Sequence, residues 1–306
     1  MFSQDIRDEI AHMWPTRICC QRALFSSLLL LGEGVVGFGE GGDSLCCSTD
    51  SAATARLIVK LARSLYQLSP HVTALFDHSG KHHRFRLKFF SRNLLEDLRD
   101  LGILDRGGRK TEGIRPSLVQ RRCCKRAYLR GVFLACGSMN SLRSSYHLEL
   151  IPKSSTTIRD LILVLQKLGV QGRSAKRRGR EFLYVKKGED IARFLNIIGA
   201  YKSLLRFEES RAVKETKNEV QRRVNCETGN ISRQADAAGR QIRKIRLLKR
   251  KVGLKELPPL LREVADLRLR FPDQALSELG AMLSPPMSKS GIRHRLERLE
   301  LLADEL

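Results

Sequence analysis

Six of the eight cysteines in this chain stand in adjacent pairs, and two of the pairs open the same sequence motif. Cys19 and Cys20 begin RICCQRALFSSLLLLGEG, and Cys123 and Cys124 begin RRCCKRAYLRGVFLACGS, 104 positions later. Thiols at these positions could bind a soft metal ion or carry out redox chemistry. Structural zinc sites usually separate their ligands by two to four residues, so adjacent pairs favour small buried hydrophobic residues. The sequence predicts no metal and no cofactor, and a thiol metal or redox site remains the alternative.

Basic residues are the second feature with chemical meaning. The 306 residues include 56 Lys and Arg against 33 Asp and Glu, a formal net charge of +23. This excess predicts a polyanionic partner, with nucleic acid first and an anionic membrane surface second. The longest nearly apolar run, 23–31, is too short to span a bilayer, and MFSQDIRDEIAHM lacks the pattern of a signal peptide. We therefore expect a cytoplasmic, nucleoid-associated protein with no membrane partner.

The elements that must position these residues also repeat. After each cysteine motif the sequence predicts strand segments, a helix, a hairpin and a closing helix. We expect Ser51 and Ser155 to cap the two middle helices and Ser91 to cap the helix that closes the first half. An α+β unit that occurs twice should pack as a pseudo-symmetric pair.

The predicted domains follow from this repeat and from a change of composition near 208. An N-terminal segment and the first half occupy 1–115, and the second half occupies 116–207. The highly charged segment 208–224 is a linker or a solvated helix. A helical DNA-binding domain follows at 225–306.

The last part of the chain, about 275–306, predicts a helix-turn-helix. A helix at 275–283 is followed by the turn Ser284-Pro285-Pro286-Met287 and by a basic helix that Ser288 caps. With Ile292, Leu296 and Leu299 buried, serine hydroxyls and helix N–H groups would suit phosphates, and arginine would suit guanine. The alternative is a solvated amphipathic helix with ordinary surface charge. The residues predicted to contact DNA are Ser288, Lys289, Ser290, Arg293, His294, Arg295 and Arg298.

Further basic residues lie upstream of this motif. A helix capped by Asn230, with a buried stripe from Ile231 to Ile245, would carry a phosphate-binding face or merely a solubilising surface. In the front part, alternation in HRFRLKF places Arg84, Arg86 and Lys88 on one face of a strand. The two basic hairpins would contact DNA or simply be solvated. The possible phosphate contacts are Arg222, Arg223, Asn225, Asn230 and Arg233. The hairpin residues are Lys81, Arg84, Arg86, Lys88, Arg173, Lys176, Arg177, Arg178 and Arg180.

The motifs resemble the WhiA family of bacterial transcription regulators. The similarity rests on FSQDIRDEI, CCKRAYLRGVFLACGS, SSYHLEL, VNCETGN with DAAGRQI, and the run from LPPLLREVADLRLRF to KSGIRHRLERL. It covers nearly the whole chain and is looser over 35–115. The resemblance implies a duplicated α+β LAGLIDADG homing-endonuclease-like domain of αββαββα repeats. An all-α helix-turn-helix domain resembling sigma factor region four would follow it.

The same resemblance implies a function. Members of the family bind double-stranded promoter DNA as monomers and regulate cell division, chromosome segregation and, in spore-formers, sporulation. RNA polymerase with its sigma factor is implied as a further partner.

LAGLIDADG enzymes end each paired helix in an acid, and the two carboxylates hold Mg²⁺ for phosphodiester hydrolysis. Here Cys136 stands at the acidic position of the second motif, and the gap-free repeat alignment puts Gly32 at the first. Glu33 is one step further, which turns about 100° along a helix. Thiolate is a poor ligand for Mg²⁺, so we expect no catalytic residue and no enzyme. Small residues at Gly131, Ala135 and Gly137 would still let the helices pack closely.

Two other functions remain as alternatives. One is a residual metal-dependent nuclease that uses Glu33 after a slip of one residue in register. The other is an RNA- or nucleoid-binding protein without sequence preference.

Overall fold

The computed structural model describes residues 2–32, 35–37, 44–76, 83–91, 93–140 and 146–306. Internal contacts divide the chain into two units, Met1–Val213 and Lys214–Leu306. Each unit has a hydrophobic core of its own. Among the described helices, none combines the length and the apolar character that crossing a membrane requires.

The first unit contains an N-terminal helix, α1 (Phe2–Ala11), and then two halves with the same order of elements, αββαββα. The first half comprises α2 (Ile18–Leu31), β1 (Val35–Gly37), β2 (Ser44–Thr49), α3 (Ala52–Tyr66), β3 (His71–Phe76), β4 (His83–Phe90) and α4 (Leu94–Asp100). After a 3-10 turn at Pro116–Val119, the second half comprises α5 (Arg122–Cys136), β5 (Gly137–Met139), β6 (Leu148–Leu150), α6 (Ser155–Gln166), β7 (Arg173–Arg177), β8 (Arg180–Val185) and α7 (Gly188–Ile198). The predicted duplication is confirmed.

Each half forms a four-stranded antiparallel sheet, in the order β1-β2-β4-β3 and β5-β6-β8-β7. In β4, Leu87 is buried while Arg84, Arg86 and Lys88 are exposed, which confirms the predicted alternation. The sequence did not indicate β5 as a strand. Its residues Gly-Ser-Met follow α5 directly, and a run of three residues with two small ones has no strand propensity of its own.

Helices α2 and α5, which begin with the two cysteine motifs, pack against each other along their length and form the centre of the first unit. Phe25, Tyr128 and Phe133 are almost completely buried there. A Cβ on Gly131 would lie 2.0 Å from Ser27 Oγ and 2.7 Å from the Leu24 carbonyl oxygen, so this glycine lets the helices approach closely.

Gly137 does not have the same role. A Cβ there would meet Phe133 of its own helix at 2.5 Å. Of the two glycines, Gly131 is the one that lies against the opposite helix.

Serine caps are confirmed at one of the three positions in the first unit. Ser51 Oγ accepts a hydrogen bond from Thr54 N at 3.2 Å and caps α3. The residue that caps α6 is Ser154, not Ser155, and the N-terminal cap position of α4 is Asn93, two residues after Ser91. In runs of polar residues the propensity for a cap is shared by neighbours, so local sequence does not fix which of them takes it.

The second unit is helical. Its elements are the C-terminal part of α8 (Tyr201–Lys251), a 3-10 turn at Leu254–Glu256, α9 (Pro259–Arg270), α10 (Leu276–Ala281) and α11 (Lys289–Asp304). Ile245, Leu248, Val264, Leu279, Ile292, Leu296 and Leu299 form the centre of its core.

Helix α8 decides between two alternatives and corrects two expectations. The segment 208–224 is helical throughout, so of the two alternatives the structure shows the helix, and 215–228 are exposed. Asn230 lies inside α8 and does not cap it, and Ile231 is 67 % exposed instead of buried. Gly229-Asn230 resembles a helix break, yet no proline interrupts 201–251 and good helix formers surround the pair.

We expect Gly131→Ala to destabilise the first unit by about 1–3 kcal/mol, because the added methyl group overpacks the α2–α5 contact. Denaturant unfolding followed by the fluorescence of Trp14, the one tryptophan of the chain, measures this. The control is Gly107→Ala, whose Cβ would meet only the Asp105 carboxylate, at 3.3 Å, and which should change stability by less than about 0.5 kcal/mol. Equal effects of the two substitutions would show that the contact at Gly131 is not tight.

Candidate nucleic-acid interface

A tight turn joins α10 to α11. Met287 N donates to the Gly280 carbonyl oxygen at 2.9 Å, which brings the start of α11 back onto the end of α10. A Cβ on Gly280 would lie 2.1 Å from the Met287 carbonyl oxygen. Only glycine fits this close backbone approach, and the angle between the two helices depends on it.

The segment before α10 is held by a buried arginine that the sequence did not single out. Arg268 is 3 % exposed, and its Nη1 donates to the Gln274 carbonyl oxygen at 2.9 Å and to that of Pro272 at 3.3 Å. Burial lowers the pKa of Arg268. Ala275 N donates to Glu278 Oε2 at 2.8 Å, which fixes the start of α10. Periodicity could not distinguish Arg268 from the surface arginines around it.

Ser288 caps the start of α11 (Lys289–Asp304), as predicted. Ser288 Oγ accepts a hydrogen bond from Gly291 N at 3.2 Å and lies 3.0 Å from Ser290 Oγ. Ile292, Leu296 and Leu299 are buried, which confirms the predicted inner face. Among the residues predicted to contact DNA, the exposed ones are Ser288, Lys289, Ser290, Arg293, His294 and Arg298.

Arg295 is the exception, and its predicted outward orientation is wrong. Its side chain is half-buried, and Nη1 lies 2.7 Å from Met287 Sδ and 3.3 Å from the Gly291 carbonyl oxygen. Arg295 borders the buried face beside Leu296, where the turn folds back onto α11. The side chain therefore supports the turn and is less available to a nucleic acid than Arg293.

The upstream set of polar and basic residues lies on one exposed stretch of α8. Arg222 and Arg233 are separated by about 20° around the helix axis at 100° per residue, so they share a face. Asn230 Oδ1 accepts from Arg233 Nη2 at 2.7 Å, and Asn225 Oδ1 accepts from the Gln221 amide at 2.8 Å. The exposed set is Arg222, Arg223, Asn225, Asn230 and Arg233.

In the basic hairpin of the second half, one of the arginines is already paired with an acidic side chain. Arg177 forms two hydrogen bonds with the Glu149 carboxylate, at 3.2 and 3.0 Å, and lies over the Phe182 ring at 5.0 Å. In the first half Arg84 pairs with Asp50 at 3.6 Å. Lys81 lies outside the described residues. Exposed basic residues of the second hairpin are Arg173, Lys176, Arg177, Arg178 and Arg180, of which Arg177 is paired with Glu149.

The C-terminal ends of α2 and α5 are the positions where an endonuclease would hold its metal ligands. Gly32 is the C-terminal cap of α2, and Cys136 is the last residue of α5. Cys136 Sγ donates to the Val132 carbonyl oxygen at 3.4 Å, and burial raises the pKa of Cys136 to about 12, so it is a neutral thiol. Glu33 lies outside the described residues.

The cavity beside these helix ends has a volume of about 150 Å³. Among the described residues that line it, Asp50 provides the single carboxylate, and it is exposed and paired with Arg84. Arg7 also lines the cavity and donates to the Gly137 carbonyl oxygen. Two converging carboxylates, the set that Mg²⁺-dependent hydrolysis needs, are not found in the described part of this site.

At their N-terminal ends, α2 and α5 bring together two cysteine pairs that lie far apart in the sequence. Cys19, Cys20, Cys123 and Cys124, named here the four-cysteine cluster, have Sγ atoms that all lie within 4.8 Å of one another. The spacing rule for zinc ligands considers neighbours along one segment, whereas here each helix contributes one pair.

Fold and site together define a two-part protein, in which a duplicated LAGLIDADG-like domain precedes a helical helix-turn-helix domain. The sequence matches the WhiA LAGLIDADG-like domain over 125–217 and the WhiA C-terminal HTH domain over 220–303. It is 40 % identical to the "Probable cell division protein WhiA" of Heliobacterium modesticaldum, with 99 % of this chain and 96 % of that protein covered. The chain belongs to the WhiA family.

Further relatives support this assignment. The protein of the same name from Carboxydothermus hydrogenoformans is 39 % identical, with 100 % of this chain and 97 % of that protein covered. The crystal structure of full-length DUF199/WhiA from Thermatoga maritima is similar with a TM-score of 0.57 and 25 % identity, covering 100 % of this chain and 99 % of that one.

We expect Gly280→Ala to destabilise the second unit by about 2 kcal/mol or more, because the methyl group meets a backbone oxygen that cannot move without opening the turn. Thermal unfolding followed by helical circular dichroism measures the change. Gly239→Ala in α8 is the matched control, since its nearest contact would be an ordinary 3.6 Å to Arg243, and it should stabilise α8 slightly. A Gly280→Ala variant as stable as the control would contradict the closed turn.

Proposed function

We propose that this protein is a sequence-specific, double-stranded DNA-binding transcription regulator that reads promoter DNA with the first turns of α11. The observation that carries the proposal is the exposed, capped and basic beginning of α11, held on a turn that Gly280 and Met287 close. A recognition helix in this setting enters the major groove with its N-terminal residues.

The chemistry of the exposed side chains fits the two kinds of contact that such a helix makes. Ser288, Lys289 and Ser290 lie at the helix start, where hydroxyl groups, an ammonium group and free backbone N–H groups suit phosphate oxygens. Arg293 and Arg298 project further along the exposed side and suit the O6 and N7 atoms of guanine. Arg295 supports the turn instead of reading bases.

The exposed basic face of α8 provides a second, sequence-independent contribution. Arg222, Arg223 and Arg233 would bind phosphates, and Asn225 and Asn230 would position the arginines through hydrogen bonds or contact phosphates themselves. The formal net charge of +23 supports electrostatic attraction to DNA over the whole molecule.

The cellular role that we propose follows from the family. Relatives are named probable cell division proteins, and the sequence resemblance adds chromosome segregation and, in spore-formers, sporulation. We propose that the protein acts in the cytoplasm on the nucleoid as a monomer, with RNA polymerase and its sigma factor as partners in transcription.

The LAGLIDADG-like domain is catalytically degenerate in this proposal. Gly32 and the neutral thiol of Cys136 occupy the ends of the paired helices, and neither is a hard oxygen ligand. Because α2 and α5 pack closely, the domain would serve as a structural scaffold. Its exposed basic hairpin residues would either contact DNA or simply be solvated.

In binding measurements on promoter fragments at fixed salt, we expect Arg293→Ala and Arg298→Ala each to lower the affinity for the selected site by about 10- to 100-fold. Arg159→Ala, which removes an exposed arginine on α6, is the control with the same change in charge and should bind as the unsubstituted chain does. Random-sequence selection provides the site. Unchanged sequence preference in both α11 variants would contradict the assignment of α11.

The same measurement decides between this proposal and a nucleoid-binding protein without sequence preference. That alternative requires equal affinity for the selected site and for its scrambled version, with a steep dependence on salt for both. A site-specific protein should retain a preference of at least about 10³-fold at physiological salt.

We expect no cleavage when the full chain is incubated with supercoiled plasmid and Mg²⁺ or Mn²⁺, because the ligand pair for a metal is incomplete. Conversion of supercoiled to nicked or linear DNA on a gel measures this. Cleavage that disappears in Glu33→Gln would contradict the proposal that the LAGLIDADG-like domain has no nuclease activity, and it would support the nuclease alternative.

A further inference from the structure

The four-cysteine cluster joins the two repeat halves at their beginning. Cys19 and Cys20 lie in the first turn of α2, and Cys123 and Cys124 lie in the first turn of α5. Of the residues that the structure describes, no other group of three or more Cys, His, Asp or Glu side chains brings its ligand atoms close enough to share a metal ion. The cluster is at the end of the helix pair opposite to Gly32 and Cys136.

The distances in the cluster suit one tetrahedral ion. With Zn–S bonds of about 2.3 Å, the edges of a tetrathiolate site are about 3.8 Å long. The sulfur atoms of Cys123 and Cys124 are 3.9 Å apart, and the whole set lies within 4.8 Å, so the longest separation needs to shorten by about 1 Å. An iron–sulfur cluster has bridging sulfides between several irons, which requires more widely separated thiolates.

The surroundings of the cluster favour negative charge. Neither α2 nor α5 has a side-chain cap, so the free N–H groups of both first turns leave partial positive charge beside the thiols. Arg17 Nη1 lies 3.9 Å from Cys123 Sγ, and Arg121 and Arg122 line the cavity onto which Cys20 and Cys123 open. Positive charge of this kind stabilises thiolates and offsets the net negative charge of a zinc tetrathiolate.

The thiols already interact as one unit. Cys123 Sγ lies 3.9 Å from Cys124 Sγ and 3.9 Å from Arg17 Nη1, and all four sulfur atoms lie within 4.8 Å of one another. Without an ion, thiolates this close together would repel each other. A dication removes the repulsion and releases the protons to solvent.

An ion could reach the cluster from solvent. Cys20 and Cys123 line an open cavity of about 810 Å³, together with Trp14 and basic side chains. Arg126 and Arg130 also line this cavity, but they bind the end of α7. Their Nε atoms donate to the carbonyl oxygens of Ile197 and Ile198, respectively, both at 2.9 Å. This access path leaves the core of the first unit undisturbed.

We propose that the four-cysteine cluster binds a single Zn²⁺ ion in a structural tetrathiolate site that fastens the N-terminal ends of α2 and α5 to each other. Four protein ligands fill the tetrahedron, so the ion has no open position for a substrate. The ion would act on the stability of the duplicated domain, and the proposal does not depend on DNA binding by α11.

The test uses the full chain, stripped with a chelator under reducing conditions and titrated with Zn²⁺ against a chromophoric chelator. We expect one equivalent of zinc per chain, a raised Tm of the first unit in the presence of the ion, and, with Co²⁺, the intense visible bands of tetrahedral thiolate coordination. Weak octahedral Co²⁺ bands, or no stoichiometric binding of zinc, would overturn the proposal.

The variant for this test is Cys20→Ser/Cys123→Ser, and the matched control is Cys46→Ser/Cys226→Ser, which also removes two thiols but leaves the cluster intact. We expect zinc affinity to fall by about 100-fold or more in the first variant and to be unchanged in the control. Equal affinity of both variants would contradict the assignment.

A measurement on the unsubstituted chain covers the case in which the cysteine variant does not fold. Thiol alkylation with and without Zn²⁺, read residue by residue by mass spectrometry, should show zinc-dependent protection of the four-cysteine cluster and no protection of the exposed Cys226. Cluster thiols that alkylate equally in both conditions, or that form disulfides in the presence of excess zinc and reductant, would exclude the site.

Discussion

The contact between α2 and α5 is the interaction on which the first unit depends. Each helix is apolar over much of its surface, and α2 buries residues on nearly every side. The two helices bury apolar surface against each other, and the two αββαββα units share one hydrophobic core. The approach of Gly131 to Ser27 and Leu24 fixes how near the helices come and therefore where both of their ends lie.

This packing has different chemical consequences at the two ends of the helix pair. At the C-terminal ends the described residues include Gly32 and Cys136, and neither of these two offers a hard oxygen ligand from its side chain. At the N-terminal ends the same approach gathers the four-cysteine cluster beside helix dipoles and arginines. The helix contact itself is made by apolar and small residues that lie between the two ends.

In the second unit, the packing sets the orientation of the basic helix α11. Helices α9, α10 and α11 bury a small common core, and burial alone would permit several angles between α10 and α11. The backbone approach of Gly280 to Met287 and the contact of Arg295 with Met287 restrict this angle, and the buried Arg268 holds the segment before α10. Arg293 and Arg298 are exposed, whereas Arg295 contacts Met287 of the turn.

The sequence by itself determined the duplication, the order of elements, the buried stripe of α11 and the cap at Ser288, because all of these depend on local periodicity and on repeated residues. It also identified the family from motifs that span both domains. It did not fix the cap of α6, the strand β5, or the continuity of α8 through Gly229-Asn230, where neighbouring residues have similar local preferences. Only the tertiary structure decided that Arg268 holds the segment before α10, that Arg295 supports the turn, and that two cysteine pairs 104 residues apart form one cluster. Such contacts join segments distant in the chain, and their distances follow from how helices pack, which the spacing of residues along one segment does not contain.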